Sequence, residues 1–108
     1  MMCGEQKPGS DVKFVIDEAR KVLQVSGPGR ALSYLEVNIK KYLDRKDRVA
    51  AKLFLAEADA IIRTNKPIGD LIYDVLRIVA HHYAVGQTVI AEDIFDRLTR
   101  ESENIKDD

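Results

Sequence analysis

The sequence predicts an all-α domain of five helices, and three observations carry that prediction. Strand-like alternation is nearly absent, while apolar residues recur at helical spacing in every long segment. Breakers punctuate the chain at Gly27-Pro28-Gly29, Asp44 to Asp47, Asn65 to Pro67, and Gly86. The connections between the helical segments are all short, so consecutive helices should pack antiparallel.

Ser10 is a suitable N-cap for a first helix over 11–25, with Val12, Val15, Ile16, Ala19, Val22 and Leu23 on one face. The second helix, over 29–44, has Leu32, Leu35, Ile39, Tyr42 and Leu43 as its stripe. The third, over 47–64, is rich in alanine, which favours helix and lets a neighbour approach closely. It has two apolar arcs, Ala51, Leu55, Ala58 and Ile62 on one, Val49, Leu53, Ala56 and Ala60 on the other. That pattern predicts a helix touched from two sides. Asn65 and Pro67 stop it. The fourth helix, over 68–85, is apolar around most of its circumference and is expected to be central and most buried. Gly86 ends it, and Thr88 opens a fifth over 88–103. Its single stripe of Ile90, Ala91, Ile94, Phe95 and Leu98 predicts an outer helix. Residues 1–9 read as a flexible tail, 10–103 as one helical domain and 104–108 as an acidic tail.

At 108 residues one domain is expected, and folding at this size hides roughly 60–70% of the chain's surface. A hydrophobic content of 45% beside 32% charge excludes wholesale disorder. The net charge of −1 argues against a dedicated nucleic-acid or membrane-surface protein. No apolar run is long enough to span a bilayer, and no secretory or myristoylation signal is apparent. Cys3 is the only cysteine, so no internal disulfide can form, which fits a reducing, cytoplasmic setting.

The second and third helices can be laid over the fourth and fifth at a spacing of 40 residues. Ala51-x3-Leu55-x2-Ala58 falls on Ala91-x3-Phe95-x2-Leu98, Lys46 on Gly86, and Leu35 and Tyr42 on Val75 and His82. This pattern resembles the tetratricopeptide repeat, a helical hairpin with an Ala-x3-Phe-x2-Ala spacing on its second helix, over about 29–103. The resemblance implies two such hairpins behind an N-terminal helix, with a partner helix or peptide bound in a groove. A five-helix antiparallel bundle is the other architecture the pattern allows. Off the main stripes of helices two and four, Tyr34, Val37, Tyr73 and Leu76 are the candidate apolar contacts.

Catalytic and metal constellations are sparse. Asp70, Asp74, Arg77 and His81 share one face of helix four and could be read as a metal or acid-base set, though a solvated stripe needs the same residues. Adjacent His81 and His82 point apart and cannot share a metal. His82 falls among Leu71, Val75 and Ile78 and is expected to be partly buried and hydrogen-bonded. No serine sits in a nucleophile elbow, and Gly27-Pro28-Gly29-Arg30 lacks the strand and Gly-Lys-Ser ending of a phosphate loop.

Charge is more informative. Residues 28–66 carry nine basic and five acidic side chains, whereas residues 67–108 carry four and nine. Lys40, Lys41, Arg45, Lys46, Arg48 and Lys52 crowd one corner, which could meet an acidic protein or nucleic-acid phosphate. The expectation is therefore a small non-enzymatic interaction module, an adaptor or chaperone-like subunit. It needs no cofactor, binds a protein partner and pairs as a homodimer. The alternative is a nucleic-acid-binding regulator acting through the basic corner at 40–52.

Overall fold

A computed structural model describes residues 8–65 and 68–106. Among the described residues there are five α-helices and no strand: α1 (Pro8–Ser26), α2 (Pro28–Asp44), α3 (Arg48–Thr64), α4 (Ile72–Ala84) and α5 (Thr88–Lys106). A 3-10 turn, Ile68–Leu71, leads into α4. The all-α class follows as the periodicity implied.

The helix bounds differ from expectation at the ends. α1 begins at Pro8, so Ser10 lies inside it, and α5 continues to Lys106. Most of the expected N-terminal tail, and the last two residues of the acidic tail, lie outside the described residues.

Three tight turns join the helices, and each needs a left-handed residue. Gly27 (φ 91°) alone separates α1 from α2, with Pro28 at the first helical position, where its missing N–H costs nothing. Lys46 (φ 64°) and Gly86 (φ 83°) occupy the same place in the other two turns. After α2, the Asp47 N–H donates to the Tyr42 carbonyl at 2.8 Å and the Lys46 N–H to the Leu43 carbonyl at 2.9 Å. After α4, the Gln87 N–H donates to the His82 carbonyl at 2.8 Å and the Gly86 N–H to the Tyr83 carbonyl at 3.0 Å. These are the same Schellman-type stop, 40 residues apart. Asp47 then caps α3 by accepting from the Ala50 N–H at 3.1 Å.

α2 packs against α1, α3 and α4, and α4 packs against α2, α3 and α5. α1 also lies along α3, and α5 reaches α3 through Arg97, which donates to the Ile62 and Asn65 carbonyls at 3.0 and 2.6 Å. This pairing sets α2 and α4 side by side in one layer and α1, α3 and α5 in the other. The radius of gyration is 15.0 Å, against about 13 Å for a compact domain of this length. The helices thus form an elongated stack.

The core runs from Val12 to Leu98 as one cluster, with Tyr42 edge-on to Phe54 at 5.1 Å. Two expectations are corrected here. α4 is not the most buried helix: Val75, Ile78, Val79 and His82 are buried, but Ile72, Tyr73, Leu76 and Tyr83 are exposed. Helices cover α4 on the sides facing α2, α3 and α5 only, whereas α2 and α3 lie between neighbours. On α3 the first arc is buried as expected, but Val49, Leu53, Ala56 and Ala60 are exposed. The second covered arc is Ala50, Phe54 and Ile61, rotated toward α1 and α2.

Candidate interaction site

α2 and α4 run parallel and are tied by two polar contacts. Ser33 donates to Asp74 at 3.1 Å, and His81 Nε2 donates to Glu36 at 2.9 Å. Asp74 and His81 are therefore committed to the seam between helices, while Asp70 is exposed in the preceding turn. Among the described residues no group of three or more His, Cys, Asp or Glu side chains is placed to hold a metal.

His82 is fully buried, more so than its sequence context suggested. Its Nε2 donates to Asp59 on α3 at 2.8 Å, and Nδ1 lies 2.7 Å from the side-chain amide of Gln87, which precedes α5. One imidazole thus fixes α4 to α3 and to the start of α5. Every buried side-chain polar atom among the described residues has a partner, as burial demands. His82 is sealed from any substrate, so its role is to hold the α4–α5 hairpin in place.

The 40-residue register shows what that hairpin leaves open. Ser33 and Glu36, the α2 residues that meet α4, have Tyr73 and Leu76 as counterparts. These counterparts are exposed, Tyr73 by 77% and Leu76 by 37%. Leu32 and Leu55 are fully buried, yet their counterparts Ile72 and Phe95 are exposed, Phe95 by 51%. Leu43 is half-buried and its counterpart Tyr83 is exposed. Along the core-facing stripes the register holds in burial as well: Leu35 and Val75, Ile39 and Val79, Tyr42 and His82, and Ala51 and Ala91 are buried pair by pair, whereas Ala50 is buried and its counterpart Ile90 exposed. The differences therefore concentrate on one side of α4 and α5. That side is the equivalent of the surface that receives α4.

Tyr73 and Leu76 thus belong to an apolar edge completed by Ile72, Tyr83 and Phe95, three residues missed by stripe analysis. Glu92, Asp93 and Asp96 border Phe95 on α5, and with Asp96 paired to Arg100 the rim keeps a net negative charge from Glu92 and Asp93. The other candidates lie elsewhere. Val37 is exposed on α2. Tyr34 is half-buried in a crevice between α1 and α2, which it lines with Phe14, Lys41 and Arg45. Burial there, with Glu18 nearby, raises the Tyr34 phenol above its ordinary range.

The basic corner is exposed at the α2–α3 turn. Among the described residues no ion pair engages Lys40, Lys41, Arg45, Lys46 or Arg48, because Asp47 is used as the α3 cap. The Arg45 guanidinium instead sits 5.0 Å from the centre of the Tyr42 ring.

No helix is long and apolar enough to cross a membrane among the described residues. No family model matches the chain, and neither a curated protein nor a solved structure matches it.

Proposed function

We propose that this chain is a non-enzymatic interaction module that receives an amphipathic helix of a partner protein along the α4–α5 edge. One observation carries the reading: Tyr73, Leu76, Ile72 and Phe95 are exposed at the positions where Ser33, Glu36, Leu32 and Leu55 meet α4 or are buried. An incoming helix would lie on α4 and α5 as α4 lies on α2 and α3. Helix-in-groove binding of this kind is read through anchors at i, i+3, i+4 and i+7. The shared turn geometry and the elongated shape support the likeness to tetratricopeptide hairpins, in which each hairpin is covered by the next. The acidic rim of α5 favours a partner helix with lysine or arginine beside its apolar face.

Panning a phage library of helical peptides against the protein tests this. The selected sequences should carry apolar anchors at helical spacing with basic flanks. A labelled winner should lose binding to Phe95→Glu and Leu76→Glu variants and keep it with Val37→Glu. Selected peptides that bind both edge variants as tightly as the parent protein would sink the proposal.

The unpaired cations of the corner support a second reading, in which an acidic protein or nucleic acid docks at 40–52. Reversal of Lys40, Lys41 and Lys46 to Glu should then slow association and flatten its salt dependence. An unchanged rate and salt response would reduce the corner to a solvated turn.

A further inference from the structure

The exposed arc of α3 lies in the other layer, between α1 and α5. Val49 is 73% exposed and Leu53 47%, and Ala56 and Ala60 continue the line. The steps between them are four, three and four residues, the spacing of a coiled-coil seam. Beside Val49 and Leu53, an apolar groove of about 700 Å³ opens toward Val12 and Ile16 of α1. No described helix covers this face.

We infer that the outer face of α3 pairs with the same face of a second copy, in antiparallel orientation about a two-fold axis between Phe54 and Leu55. The order of large and small residues carries the inference. Under that symmetry Val49 meets Ala60 of the second copy, and Leu53 meets its Ala56. Every layer of the seam then joins one large side chain to one small one, so the two helices can lie at a constant distance. A parallel pair would instead set Leu53 on Leu53 and Ala56 on Ala56, wide at one end and hollow at the other. Native-like packing selects against that arrangement.

The charges bordering the face agree. Lys13, Arg20, Lys52 and Arg63 stand beside Asp17, Asp47 and Glu57, so the rim is mixed in sign. A partner of one dominant sign would meet like charge along much of this rim. A second copy brings the same mixed set, which suits a two-fold contact. The surface is separate from the α4–α5 edge, and the inference does not rest on the function proposed for that edge.

The seam predicts an unusual rescue. Sedimentation equilibrium of the full chain, from low to high micromolar concentration, should show a monomer–dimer equilibrium. Leu53→Ala empties a layer and Ala56→Leu overfills one, and each occurs twice in the dimer. Each should weaken association by about tenfold or more in Kd. The double variant, Leu53→Ala with Ala56→Leu, exchanges the large and small partners and should recover dimerisation. Val49→Glu offers a second disruption at a highly exposed position. All four variants should keep the circular dichroism of the parent, with thermal midpoints lowered by no more than roughly 5–8 °C where the half-buried Leu53 is truncated. A parent chain that stays monomeric throughout overturns the inference. So does association that ignores the single substitutions, fails to recover in the double variant, or is abolished by Phe95→Glu while Ala56→Leu leaves it intact.

Discussion

Leu55 and Phe95 occupy equivalent places 40 residues apart, and truncating each to alanine should have unequal consequences. Leu55 is fully buried within the α3 core, where α1 and α5 flank the layer and α2 and α4 lie beneath. Leu55→Ala removes buried methyl groups and leaves a cavity with little room to collapse, a loss of about 2–5 kcal/mol. For a domain of this size that corresponds to a fall in Tm of roughly 10–25 °C. Phe95 is about half exposed and opens directly to water, so its truncation leaves no closed cavity. Roughly half of a full side-chain burial is lost, about 1 kcal/mol. Urea denaturation followed by circular dichroism measures both. The midpoint should drop strongly for Leu55→Ala and slightly for Phe95→Ala, with similar slopes. Equal and large losses would show that Phe95 is covered in the free protein. The edge would then be closed, and the reasoning from the 40-residue register would be wrong.

Other outcomes follow from the same contacts. Leu76→Ala should cost about 1–2 kcal/mol in the free protein, since the side chain is 37% exposed and roughly two-thirds of a full burial is lost. Asp59→Ala leaves a ring nitrogen of fully buried His82 without its acceptor and should destabilise by about 1–3 kcal/mol, read in the same urea assay. The two Schellman turns should respond oppositely. Gly86→Ala places a Cβ in the left-handed region and should cost about 1 kcal/mol, whereas Lys46→Gly removes one there and should be neutral or mildly stabilising in thermal melts.

The order of helices and their turns was legible because both depend on local chemistry. Gly27, Pro28, Asp47 and Gly86 act within a few residues of where they stand, through φ, a missing N–H or a cap. Coverage was not legible, because periodicity reports which residues could be buried and not which neighbour arrives. α3 has apolar or small residues around most of its circumference, so two arcs were equally eligible; α1 and α2 chose Ala50, Phe54 and Ile61 over Val49 and Leu53. α4 looked central for the same reason. Its apolar girth has a second meaning, a side that no described helix fully covers. Tyr73 and Leu76 were found by standing off the main stripe. Phe95 stands on the α5 stripe, and Ile72 and Tyr83 are not distinguished within the apolar circumference of α4. The register that aligned Leu55 with Phe95 already contained the correction, since the inner hairpin is covered by a helix that the outer hairpin lacks.

The two ends of the stack are unlike, and this limits how copies can assemble. α1 covers α2 and α3 at the first end, and its exposed side carries the ion pairs Lys13–Asp17 and Glu18–Lys21 beside exposed Phe14 and Val25. Charge on a terminal helix helps keep a helical stack soluble and closed. The α4–α5 edge at the second end is apolar. Head-to-tail growth would press the apolar part of that edge onto the ion pairs of α1 and strip them of water, a cost that disfavours an open filament. An antiparallel pair across α3 instead sets apolar residues on apolar residues. It would leave both α4–α5 edges accessible and joined in one particle. A partner presenting two helices could then engage both at once, and its avidity would exceed that of either edge alone if its linker spans the distance between them. Monomeric variants such as Ala56→Leu should therefore bind a single helical peptide as the parent does, yet lose the extra affinity for a tandem peptide.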